Sequence, residues 1–230
     1  MRLHRFYVEQ PLGEELVVGS KELLHQWISV FRFKTGDQVL LFSSAPYDFL
    51  YEFTSLSKKE ARLSFVSKMH NIAEGKSCTL YMALVKKDTF ETVVRQATEL
   101  GISAIVPVIA SRSEKKNLNF ERLSHIAQEA TEQSGRGNVP KILPIQTLSE
   151  ALTKLEKENI VGSLYGKLLP EQEVAIRNEA CGVWIGPEGG WSAEEEDMFA
   201  EKGFLFLKLA NTTLKADTAA VSLISLVLLR

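Results

Sequence analysis

From residue 78 onward the chain alternates apolar runs of strand length with segments of helical period; TLYMALV, ISAIVPVI, NIVGSLY, CGVWI and FLFLKL are the clearest runs. Alternation of this kind predicts an α/β domain built on a parallel sheet with helices on both faces. The helical segments carry start and stop signals. Asp88 and Glu91 have the spacing of a capping box, Phe90, Val93, Val94, Ala97 and Leu100 make one apolar stripe, and Gly101 stands at the C-terminal cap. A second helix is expected over 119–134, with Phe120, Leu123, Ile126, Ala127 and Ala130 inward and Gly135 ending it. A third starts near Thr147, where Thr147 and Glu150 repeat the capping spacing. The last helix, over 217–229, is apolar nearly all round, which calls for burial on more than one side.

Residues 1–70 follow a different grammar. RFYVEQ and DQVLLFSS read as short strands, and DFLYEFTSLSKKEARLSFVSKM as a hairpin with a polar loop. Between them SKELLHQWISVFRF places Leu23, Leu24, Trp27, Ile28 and Phe31 at helical spacing. A small β-barrel with one helix is the economical reading, joined through a polar, glycine-containing linker at 71–77 to the domain over 78–230. A net charge of −2 means that nucleic acid has to be met by local basic patches. Two cysteines far apart in sequence, no signal-peptide core in MRLHRFYVEQ and a C-terminal apolar run too short for a bilayer lead to the expectation of a soluble, cytoplasmic protein. The four histidines have no ligand spacing, so no metal is expected.

After CGVWI comes GPEGGWS, and Ser192 with Glu195 then forms a capping box for the next helix. A strand, a tight glycine loop and a helix start often cradle phosphate. Here Glu188, Glu194, Glu195 and Glu196 surround that position and no lysine is near in sequence. GSLYGKL is one residue short of a Walker loop, and GRGNVP follows a helix rather than a strand, so neither is a phosphate site. Two readings remain: a loop whose bare backbone reads a flat ligand such as adenine, or a turn with no ligand.

IGPEGGWSAEE, TELGISAIVPVIASRS, EATEQSGRGNVPKI and LANTTLKADTAAVSL, in that order, resemble the ribosomal RNA small subunit methyltransferase E family, of the SPOUT class. FRFKTGDQVLLF extends the likeness to the family's PUA-like barrel. The resemblance implies an S-adenosylmethionine-dependent enzyme that methylates N3 of a uridine in 16S ribosomal RNA, with a deep trefoil knot in its C-terminal domain and a homodimeric assembly. It implies a cofactor pocket between three loops. These would contribute Leu164, Tyr165 and Gly166; Ile185, Gly186, Pro187, Glu188 and Gly190; and Leu209, Asn211, Leu214 and Lys215. Four positions depart from the family pattern: Thr212 and Lys215 replace arginines, Asp217 a glutamate and Gln96 a lysine. Lysine keeps the charge and loses the planar fork. A non-catalytic RNA-binding assembly factor of the same fold is the competing expectation.

Loss of the uridine N3 proton builds negative charge on the base, and a nearby cation would stabilise it. Arg136 and Lys215 are the candidates, against a solvated loop arginine and a plain helix-entrance charge. Arg2, Arg5, Arg32, Lys34, Arg112, Lys115, Lys116 and Arg136 are the candidates for contacts with RNA, against a merely solvated basic face. Glu132 and Gln133 either orient Arg136 or end a helix.

Overall fold

The computed structural model describes residues 3–43, 46–71, 75–113, 117–168 and 180–228. Arg2, Lys115 and Lys116, and part of the linker expected at 71–77, lie outside these described residues. The chain divides into two units, Met1–Ala73 with Thr131–Asn138, and Glu74–Ala130 with Val139–Arg230.

In the N-terminal unit five strands, β1 (Arg5–Tyr7), β2 (Glu15–Val18), β3 (Gln38–Phe42), β4 (Tyr47–Leu56) and β5 (Ala61–His70), form a sheet in the order β1-β3-β4-β5-β2. β1 runs parallel to β3 and the other neighbours are antiparallel. The polar loop of the expected hairpin is closed by the Ser57 hydroxyl, which accepts from the backbone N–H groups of Lys59 and Glu60. Alternation along β3 and β4 turns Val39, Leu41, Tyr51 and Phe53 onto one buried face with Leu63. Helix α1 (Lys21–His25) is capped by Ser20 and runs on as a π-helical turn, Gln26–Val30, that seats Trp27 in this core. Periodicity at the helical spacing found the apolar residues of this segment but not its wider winding.

Arg5, expected to hold RNA phosphates, is instead committed inside this unit. Its guanidinium makes paired bonds to the Asp48 carboxylate, donates to the carbonyls of Thr131 and Arg136, and lies 3.4 Å from the centre of the Phe42 ring. Both side chains are over nine-tenths buried, at 8% and 9% exposure. Buried charges must be paired, and these bonds satisfy the carbonyls that the end of the 120–134 helix leaves open. Glu132 accepts from the N–H of Tyr7 at 2.9 Å, so its carboxylate serves the same junction.

The C-terminal unit carries β6 (Ser77–Ala83), β7 (Ala104–Ile109), β8 (Lys141–Ile142), β9 (Gln146–Thr147), β10 (Glu158–Leu168), β11 (Ala180–Ile185) and β12 (Leu205–Lys208). All pairings among them are parallel, in the order β12-β10-β11-β6-β7-β8, with β9 beside β7. One face buries Leu80, Met82, Val183 and Ile185 against α2 (Lys87–Leu100), α3 (Phe120–Ser134) and α6 (Ala216–Leu228). The other buries Tyr81, Val106 and Trp184 with α4 (Leu148–Ala151) and α5 (Ala193–Glu201). Tyr81 and Trp184 are register partners stacked at 3.8 Å. Burial, and then Glu156, push the Tyr81 hydroxyl pKa up to about 12.

Gly101, at φ 106, ends α2 as expected, but the capping box at Asp88 and Glu91 does not form. The helix starts two residues earlier than that cap would place it, with Lys86 at the N-cap position and no side-chain cap. Glu91 turns instead to Arg122 of α3, whose Nε–H donates to both carboxylate oxygens at 2.8 and 2.9 Å, because a charged guanidinium donor outcompetes the neutral N–H of a cap. That pair, chiefly through the Arg122 hydrogen bond, holds the Glu91 carboxyl below its ordinary range. The boxes at Thr147/Glu150 and Ser192/Glu195 do form, although α4 extends for one turn only.

Candidate functional site

At the C-terminal ends of β10, β11 and β12 a cavity of about 180 Å³ opens in the C-terminal unit. Its first wall is a break in β10. Gly162 and Lys167 both stand opposite Leu207, so residues 163–166 leave the ladder. What was expected to be a loop is thus a strand irregularity. Leu164 and Tyr165 line the cavity from it and are 50% and 84% exposed. Gly166 is absent from the lining; it packs against the backbone of Phe206 and Leu207, where an added Cβ would approach to 2.8 Å.

The second wall is the glycine loop. Ile185, Gly186, Pro187, Glu188 and Gly190 all line the cavity, as expected. Gly190 has φ 69, and a Cβ there would meet nothing within 4 Å. Glycine is required at this point by backbone angle, and not by the close approach of another group. The loop is braced from the β7 end. Arg112, which lines the cavity, donates to the carbonyls of Gly189 and Trp191 at 2.7 and 3.2 Å. One nitrogen of the guanidinium, Nη1, thus holds the loop, while the side chain, expected to meet RNA phosphates, stays exposed. Glu195 accepts from Ser192 N–H with one oxygen and from Ser111 N–H with the other, tying the start of α5 to the same β7 end.

The third wall comes from residues 207–219, with Leu209 and Leu214 among the expected residues. Asn211 and Lys215 are outside the lining. Lys215 is exposed and immediately precedes α6, its carbonyl accepting the first helical bond from Ala219 N–H. A cation at a helix N-terminus opposes the helix dipole, so helix stability does not account for it. Thr212, at one of the departures from the family pattern, does line the cavity. Arg136 belongs to the N-terminal unit and is 6% exposed, packed rather than offered to solvent. Arg32 and Lys34 are exposed, Arg32 in the left-handed region at φ 58.

Sequence reasoning missed the most polar pair of the site. Ser163, in the strand irregularity, donates to Glu196 of α5 at 2.6 Å and accepts from Tyr165 N–H, and both residues line the cavity. Three consecutive glutamates at a helix start were the available signal, since one suffices for the cap. The walls combine bare loop backbone, apolar Leu164, Ile185 and Leu209, a carboxylate at Glu196 and a buried indole N–H at Trp191 that has no partner among the described residues. Such a lining suits a ligand with a flat heteroaromatic part and a cationic part. No cluster of three potential metal ligands occurs among the described residues.

A parallel sheet with a loop-walled cavity at its C-terminal edge is the arrangement of a cofactor-dependent α/β enzyme. The RNA methyltransferase domain family matches residues 73–228. The ribosomal RNA small subunit methyltransferase E of Aquifex aeolicus is 30% identical over 98% of this chain and 99% of that protein. Its counterpart in Rickettsia conorii is 28% identical over 98% and 95%. Among solved structures, a Neisseria gonorrhoeae ribosomal RNA small subunit methyltransferase E bound to S-adenosyl methionine superposes with a TM-score of 0.88 at 28% identity, over 98% of this chain and 96% of that one. A Legionella pneumophila protein solved with SAM bound gives 0.89 at 26% identity, over 99% and 97%. The chain belongs to the ribosomal RNA small subunit methyltransferase E family.

Proposed function

We infer that the protein is an S-adenosylmethionine-dependent methyltransferase acting on ribosomal RNA of the small subunit, at N3 of a uridine in 16S RNA. The observation that carries this reading is the cavity between the 163–166 irregularity, the glycine loop and the β12–α6 segment, in a chain of this family. Loop backbone at 185–190 and 209–214 would hold the adenosine, and Glu196 with Ser163 the cationic end. When bound, the cofactor supplies an electrophilic methyl group on a sulfonium.

The chain's own task is to orient the uracil and to stabilise the charge left when N3 loses its proton. Lys215 is the cation of this reading, since its place at a helix start has no structural cause. Arg136 is the alternative, one that has to leave its packed position to reach a substrate. The N-terminal unit acts as a PUA-like, RNA-binding barrel, with Arg32 and Lys34 as phosphate contacts. A trefoil knot in the C-terminal unit is supported by strand order, because the chain leaves β10, returns between β10 and β6, then crosses to the outer edge as β12. Homodimer formation is supported by α6, which keeps apolar Val221 and Leu226 only half-buried. A cytoplasmic location follows from the substrate; no described helix is long and apolar enough to cross a membrane.

Calorimetric titration with S-adenosylmethionine, followed by mass spectrometry of nucleosides from small-subunit RNA methylated in vitro, tests the reading. Absence of methyluridine with intact cofactor binding would transfer support to a non-catalytic assembly factor, which the arginine-to-Thr212 change in the cavity wall favours. Absence of both would end the methyltransferase reading.

A further inference from the structure

β4 and β5 pair so that Tyr47 stands opposite His70, Phe49 opposite Lys68, and Tyr51 opposite Phe65. Directly opposite residues of antiparallel strands share a face. Ring contacts agree. The Tyr47 and His70 rings are 4.5 Å apart, Lys68 Nζ lies 4.8 Å from the Tyr47 ring centre, and Phe65 is 6.3 Å from Phe49 and 6.0 Å from Tyr51. At its inner end this face is core, with Tyr51 fully buried and its hydroxyl donated to the Gly13 carbonyl. Further along the hairpin the cover stops. Phe65 is 38% exposed, Lys68 and His70 are exposed, and Tyr47 and Phe49 are half-buried.

An exposed hairpin end ordinarily carries polar side chains on both faces; here rings continue past the core beside the Lys68 ammonium and the His70 imidazole. We propose that this strip is a stacking platform for unpaired bases of an RNA strand. Rungs two residues apart along a strand are spaced by roughly 6.7 Å, which lets successive bases of an extended strand meet successive rings. Lys68 and His70 supply the phosphate contacts beside those rings. Exposed Glu14 and Glu15 adjoin the Phe65 end, Glu14 through its carbonyl to Phe65 N–H and Glu15 opposite Ser64, so the strand's phosphates keep to the Tyr47 end. A protein partner fits less well. Among the described residues of this hairpin Phe65, Val66 and Met69 are the large apolar side chains over a third exposed, and Met69 stands opposite Asp48 rather than opposite a ring. Three such side chains are a small fraction of the roughly 800 Å² per partner that a stable protein interface buries. The platform rests on the reading of the chain as an RNA enzyme, but its binding needs no methyl transfer.

The test uses the full chain without cofactor, a short labelled oligouridine strand and an RNA duplex of the same length. Tyr47→Ala should weaken single-strand binding at least about fivefold and duplex binding little, while Tyr47→Phe keeps wild-type affinity. Lys68→Ala should weaken binding and flatten the salt dependence by about one phosphate contact. Should Tyr47→Ala fail to fold by thermal unfolding, Phe65→Ser, at an exposed position, carries the same expectation for the strand. Unchanged oligouridine affinity in the folded variants overturns the platform, as does equal loss on duplex. A change in self-association by sedimentation, with RNA affinity unchanged, would assign the strip to a second copy and overturn it as well. If wild-type protein fails to methylate RNA, the oligouridine readout stands apart from that failure.

Discussion

Gly135 at φ 82 and Gly190 at φ 69 turn the backbone in similar ways, and each loop is braced by an arginine that donates to two carbonyls: Arg5 to Thr131 and Arg136, Arg112 to Gly189 and Trp191. The outcomes are opposite. At 135–138 the space is filled, since a Cβ on Gly137 would lie 2.8 Å from the Asn71 side chain and Arg136 is buried. At 186–190 the brace leaves a cavity. Arg5 is buried with Asp48, whereas Arg112 is exposed. Bracing a glycine loop and filling it are therefore separate physical acts, and only the second loop is left open for a ligand.

The largest effect should come from the filled loop. Arg5→Ala strands Asp48 and is expected to cost about 3–5 kcal/mol of stability, read as the unfolding midpoint in urea. Arg5→Met combined with Asp48→Leu should recover most of it; failure of that rescue would mean that the carbonyl bonds, and not the ion pair, hold the loop. In the open region, Lys215→Ala should slow single-turnover methylation at least about tenfold, about 1.4 kcal/mol, with cofactor affinity kept. Wild-type turnover would leave Arg136 as the remaining cation. Gly190→Val should weaken cofactor binding by a similar factor through strain of about 1–2 kcal/mol in a left-handed residue, with the fold intact. Equal affinity in the titration would show that the loop does not meet the ligand. Arg112→Ala is expected to change stability by under about 1 kcal/mol and to loosen the cofactor several-fold; the reverse ranking would erase the contrast with Arg5.

The smallest expected effect lies away from both loops, at Glu91. Because its folded carboxyl is held below the ordinary range, the Arg122 pair stabilises above the unfolded carboxylate pKa, and that contribution is lost as pH falls through the folded value. Glu91→Gln should cost about 0.2–1 kcal/mol near neutrality, and the difference from wild type should vanish in acid. A difference that persists in acid would point to packing.

Local pattern reached the parallel sheet, because CGVWI, TLYMALV and their neighbours carry strand length and apolarity in themselves, and it reached the boxes at Ser192 and Thr147, whose partners are three residues apart. It did not reach the break in β10, which exists because β12 crosses there from far along the chain. For the same reason Arg5 was misjudged. Whether an arginine meets phosphate, or a carboxylate and carbonyls, depends on what folding brings beside it, and the spacing of charges does not encode that. Ser163 and Glu196 meet across 33 positions: the run of glutamates marks Glu196 as surplus to the cap, but nothing local points to Ser163 as its partner.

β11 lies between β6 and β10, although it follows both in sequence. During translation, then, the strands that flank the middle of the sheet emerge before the strand that joins them. Until residues 180–185 leave the ribosome, β6 keeps one side without its neighbour, with apolar side chains above and below. A nascent chain halted before that point holds β6 to β9 as a partial sheet and β10 as a strand with neither neighbour, since β12 also follows β11, and a chaperone or a protease would meet it before any substrate did.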